Sequence, residues 1–90
     1  MNKERRKTLA SLIEQIAAVL GKIEDIKSEI ETVLDEEQET YDNMPESFQN
    51  GEKGERAQTA IDAMEAAITS LESMDTDIDG AIDALNTASE

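Results

Sequence analysis

Apolar side chains recur along the first half of the chain at alternating spacings of three and four: Leu9, Leu12, Ile16, Val19, Ile23, Ile26, Ile30 and Val33. That alternation marks an amphipathic helix written in heptads, with Leu9, Ile16, Ile23 and Ile30 at position a and the others at d. Ile13, Leu20 and Leu34 add a third apolar row at e. The stripe is wider than a two-stranded coiled coil requires, so this helix should touch more than one neighbour. Gly21 is a weak point in it, because glycine costs about 1 kcal/mol against alanine inside a helix.

The second half repeats every seven residues, as AIDAMEA, AITSLES, MDTDIDG and AIDALNT from residue 60 to residue 87. Ile61, Ile68 and Ile82 fall at a, and Met64, Leu71, Ile78 and Leu85 at d. Ala60, Ala67 and Ala81 line g, where small side chains let another backbone approach. Asp62, Glu65, Glu72, Asp79 and Asp83 form the wet face.

Between the two periodic segments, YDNMPESFQNGEKGERAQ (41–58) holds both aromatics, the only proline and two of the four glycines. Pro45 disfavours a helical Met44 and suits the start of a new turn, with Asn43 as its candidate cap. PESFQ should be a short helical turn, and Gly51 and Gly54 should break the chain before the second helix. The pattern predicts an all-α fold in a single domain spanning 1–90, with a helix over about 3–42, a connecting segment over about 43–52 and a helix over about 53–88. At 1.5 Å per residue the two helices are long enough to fold back as an antiparallel hairpin. In such a pair e faces e, so Ile13, Leu20 and Leu34 would look towards Glu65 and Glu72 and stay half exposed. A second copy would cover them, which makes a homodimer or larger helix bundle the expected state.

Charge changes the picture of partners. Among 90 residues, 22 are acidic and 8 basic, for a net charge of −14. The imbalance is uneven: residues 1–28 carry six bases and four acids, whereas 29–90 carry only Lys53 and Arg56 against eighteen acids. Such a field repels nucleic acid and anionic membrane, and suits a basic protein. The chain has no cysteine and no histidine, which removes disulfides, the common zinc ligands and the commonest general base. A non-enzymatic role without a cofactor is therefore expected. No run approaches the roughly 20 apolar residues of a spanning helix, which points to a protein that is not in a membrane.

MDTDIDGAIDALN (74–86) opens like a calcium-binding EF-hand loop. Asp75, Asp77 and Asp79 would be the first three ligands, Gly80 the turn and Asn86 the closing ligand, where a bidentate Glu belongs. Asn86 is neutral, and only Thr87 to Glu90 follow it, too few for an exiting helix. The heptad already accounts for Ile78, Asp79, Ile82 and Asp83. No metal site is expected, with calcium at Asp75, Asp77 and Asp79 as the alternative. Asp75 occupies a position where sister heptads have isoleucine, and a lone buried carboxylate is costly. In an antiparallel hairpin, Lys3, Arg5, Arg6 and Lys7 should pair with the Asp75–Asp83 stretch.

MNKERRK at the start, DEEQETYDNMPESFQNGEKGER in the middle and the AID heptads of the tail together resemble a group of short, acidic, helical phage and prophage proteins without an assigned activity. The likeness spans most of the chain, although only the middle is specific. It implies an accessory factor, in the cytoplasm of a bacterial host, that binds and blocks host machinery or defence. Three function classes follow. The first is an inhibitor or DNA mimic whose acids, Glu65, Glu72, Asp79 and Asp83 among them, occupy a basic groove. The second sequesters an anionic nucleotide signal between subunits, with Tyr41 stacking and Lys53 and Arg56 holding phosphate. The third is a structural or adaptor bundle. Tyr41, Asn43, Phe48, Gln49, Lys53 and Arg56 form the candidate recognition surface of the connecting segment, unless Tyr41 and Phe48 simply cap the open end of the core.

Overall fold

A computed structural model describes all 90 residues. The chain is all-helical: α1 (Lys3–Asp42), α2 (Glu46–Gln49) and α3 (Glu52–Ala88), with no strand. No helix is long and apolar enough to cross a membrane.

Local chemistry explains the helix ends. The Asn2 side chain caps α1, its Oδ1 accepting the Arg5 backbone N–H at 2.8 Å. At the other end the Tyr41 carbonyl accepts both the Met44 backbone N–H at 3.1 Å and the Gln49 Nε2 at 2.9 Å, which ties the last turn of α1 to α2. Pro45, not Asn43, stands at the head of α2, and no side chain caps that turn. The Pro45 carbonyl accepts the Phe48 and Gln49 N–H groups at 2.9 and 3.1 Å, while the Asn43 N–H continues the ladder of α1 to Glu39. Gly54 does not break the chain. It lies inside the first turn of α3, buried, where the backbone of Gln49 passes so close that a Cβ would overlap its carbonyl. No glycine has a positive φ, so this one is required for space and not for conformation.

Contacts divide the chain into two units, one of Met1–Asp25 with Leu71–Glu90 and one of Ile26–Ser70. In the first, Arg6 Nη2 donates to the Glu90 carbonyl at 3.1 Å, so the start of α1 lies against the last residue of the chain. Its interior holds Ile23, which is buried, with Leu9, Ile13, Ile16 and Leu20 half-buried on α1 and Leu71, Ile78, Ile82 and Leu85 on α3. In the second, Ala57 and Ile61 are buried, and Ile30, Leu34, Tyr41, Met64 and Ile68 are half-buried.

The register of α1 differs from the expected one. Rows a and e face inward, and row d faces out: Leu12 is 42% exposed, Val19 53%, Ile26 38% and Val33 53%. The reason is geometric. Rows d with a, and rows a with e, both alternate by three and four residues, so both are heptad seams that share row a. The single a/d stripe of α3 has room for one of them, and the a/e seam is the one it covers. Ile13, Leu20 and Leu34 are half exposed, as expected, and Leu12, Val19, Ile26 and Val33 are exposed to a greater degree.

Candidate functional site

The wet flank of α3 carries Asp62, Glu65, Glu72, Asp79 and Asp83, all exposed. Spacings of seven and four keep Glu65, Glu72, Asp79 and Asp83 on one side of the helix, over about 27 Å of its length. No basic residue follows Arg56. The only acids on the remaining faces of this stretch are Asp75, which is half-buried, Asp77 and the terminal Glu90.

The EF-hand reading meets a direct obstacle, because residues 74–86 are continuous helix within α3. A ligand loop must wrap its side chains around an ion, whereas a helix turns about 100° per residue and sends Asp77 roughly 160–200° away from Asp75 and Asp79. Nowhere do three acidic side chains gather in a metal-holding group. Asp75 is half-buried, with its Oδ1 out of solvent. Of the bases expected beside it, Arg6 is placed at the end of the chain. Arg6 reaches Glu90, about 22 Å of helix beyond Asp75 at 1.5 Å per residue.

The connecting segment gathers its candidate residues only in part. Gln49 and Tyr41 meet through the hydrogen bond already described, and both are half-buried. Phe48 is exposed, with the Lys53 ammonium 5.5 Å from its ring centre, a cation–π distance. Arg56 pairs with Glu52 one turn earlier on α3, in an exposed contact. Both late bases thus have partners within the chain, and Asn43 is exposed. Tyr41 joins the half-buried interior, but Phe48 does not cap it.

Sequence reasoning missed a groove. In the Ile26–Ser70 unit, Ile26, Ile30 and Val33 of α1 and Ala63, Met64 and Ala67 of α3 line an apolar trough of about 390 Å³, with Glu29 its one charged neighbour. It exists because row d of α1 is turned outward beside the small side chains of Ala63 and Ala67 on α3. The signal was present as the excess width of the α1 stripe. Its location was not, because the two seams are equivalent in the sequence.

No protein-family model, curated protein or solved structure matches this chain.

Proposed function

We propose that the protein acts without turnover, as a binding protein that presents the acidic flank of α3 to a positively charged partner and so imitates the charge of a nucleic-acid backbone. The observation that carries this is the exposed row Glu65, Glu72, Asp79 and Asp83 on a helix with no base after Arg56. Solubility does not require so one-sided a surface, since a mixed surface with a smaller net charge suffices. Exposed carboxylates on a regular rod attract a cationic groove at long range and keep nucleic acid itself away. The likeness to small phage proteins extends the proposal to a host protein as the partner, with the connecting segment choosing among basic targets.

The test replaces four outward side chains together, as Glu65→Gln, Glu72→Gln, Asp79→Asn and Asp83→Asn. All four are exposed, so helicity and melting should stay close to the parent. A partner captured from host extract by the parent should be released by excess duplex DNA and by rising salt. Capture by the variant should be weaker and less sensitive to salt. If the variant holds the same partner at about 300 mM salt as tightly as the parent does, mimicry by this flank is wrong.

A further inference from the structure

We infer that Asn50 is a site of spontaneous covalent modification, deamidating through a cyclic imide formed with Gly51, and that the isoaspartate product loosens the packing of α2 against α3. This goes beyond the acidic flank and does not depend on it. The chemistry needs an asparagine side chain free to turn, followed by a residue whose backbone nitrogen is open to attack. The asparagines of the chain are Asn2, Asn43, Asn50 and Asn86. Only Asn50 precedes a glycine, so the Gly51 nitrogen lacks the neighbouring side chain that hinders attack at Lys3, Met44 and Thr87. The fold sharpens the choice. Asn2 is engaged as the cap of α1, its Oδ1 accepting the Arg5 N–H at 2.8 Å. Asn86 lies inside α3, and so does Asp79 with Gly80, where the same ring would form from an aspartate. Closing the ring turns ψ away from its helical value, which inside a long helix breaks the ladder on both sides. Asn50 stands instead at the end of α2, exposed, at φ −85° and ψ −5°. Freeing it releases the Gly51 N–H from the Phe48 carbonyl, 3.1 Å away, and opens one short helix that has no side-chain cap.

The Gly51 nitrogen, after giving its proton to solvent, attacks Cγ of Asn50. A bond forms between them, the Cγ–Nδ2 bond breaks, and ammonia leaves with a proton taken from water. Water then opens the ring on either side. Breaking the new N–Cγ bond gives aspartate on the original backbone, whereas breaking the former peptide N–C bond gives isoaspartate, with the chain running through Cβ. Either product adds a negative charge to the −14 already present. The aspartate stands just before α3, where the helix dipole favours an anion. Isoaspartate alone lengthens the backbone, by a methylene between residues 50 and 51. It does so where there is least room. Gln49 is tied to the Tyr41 carbonyl at 2.9 Å, and its backbone already fills the space that a Cβ on Gly54 would need.

The full chain, held in mildly alkaline buffer and sampled over weeks, should gain acid at Asn50 before Asn2, Asn43 or Asn86. Peptide mapping with electron-transfer fragmentation reads the position and tells isoaspartate from aspartate, and both should appear. Asn50→Gln should abolish the change at that position and keep the fold, because the side chain is exposed and its longer arm closes a ring poorly. Asp79→Asn places the same dipeptide inside α3, on an exposed position, and that amide should outlast the one at Asn50. For the effect on packing, Asn50→Asp should melt close to the parent, whereas a chain made by chemical synthesis with isoaspartate at this position should melt several degrees lower. An Asn50 still intact after that time, aspartate formed without isoaspartate, an Asp79→Asn amide lost as fast as that of Asn50, or an isoaspartate chain as stable as the parent would each overturn the inference.

Discussion

At the scale of single residues, the glycines separate into those that can be replaced and one that cannot. Gly21 and Gly80 are exposed, and a Cβ at either would meet nothing within 4 Å. Gly21→Ala and Gly80→Ala should each raise stability by up to about 1 kcal/mol, through helix propensity alone. Gly54→Ala should do the reverse. Its Cβ would displace the backbone of Gln49, and forced repacking of that kind costs about 1–3 kcal/mol. Urea titrations of the three variants at equal chain concentration test the pattern, and a Gly54→Ala protein as stable as the parent would contradict the close approach of the Gln49 backbone to Gly54. The weakness of Gly21 was legible in the sequence, because it concerns one helix. The role of Gly54 was not, because it depends on a backbone brought in from another element. The partner of Arg6 was not legible for a similar reason, since the register of α1 against α3 carries it to Glu90.

At the scale of elements, α3 runs unbroken from Glu52 to Ala88 through the stretch that reads as a metal loop. Helix continuity holds because Ile78, Ile82 and Leu85 keep the heptad. Opening that stretch around an ion would expose the same apolar side chains. Millimolar calcium should therefore shift the melting temperature of metal-free protein no more than magnesium does, both acting by screening. A shift of several degrees specific to calcium and abolished by Asp75→Ala would show that the helix yields to a site. The connection tells the opposite story about legibility. Pro45 announces a break in the sequence and heads α2 in the fold, because its ring acts on its immediate neighbours and needs no tertiary partner.

At the scale of the whole molecule, charge and apolar surface pull in opposite directions. A net charge of −14 on 90 residues destabilises the folded chain by self-repulsion, and more so any dimer of it. The melting temperature should therefore rise as salt increases from about 10 to about 300 mM, while the screening length falls from about 30 Å to below 10 Å. The homodimer expected from the width of the α1 stripe would also make it rise with chain concentration at fixed salt, since assembly stabilises the folded state by mass action. Differential scanning calorimetry over a hundredfold range of concentration measures both. A midpoint that falls with salt would mean that attraction between the basic start and the acidic remainder outweighs repulsion.

The sequence by itself determined the helical class, the seven-residue period, the connection at Pro45 and the division between a mildly basic start and an acidic remainder. Each of these follows from interactions within a few residues along the chain, or from composition alone. Only the tertiary structure decided which apolar row of α1 stays outside, why Gly54 must be glycine and where a groove opens beside Ile26 and Val33. Periodicity states which side chains share a face of a helix. When a helix has three apolar rows, and two seams built on the same row a satisfy the same spacing, the choice between them belongs to the neighbour that packs there. α3 has one stripe to offer, so one row of α1 is left without a place inside the chain.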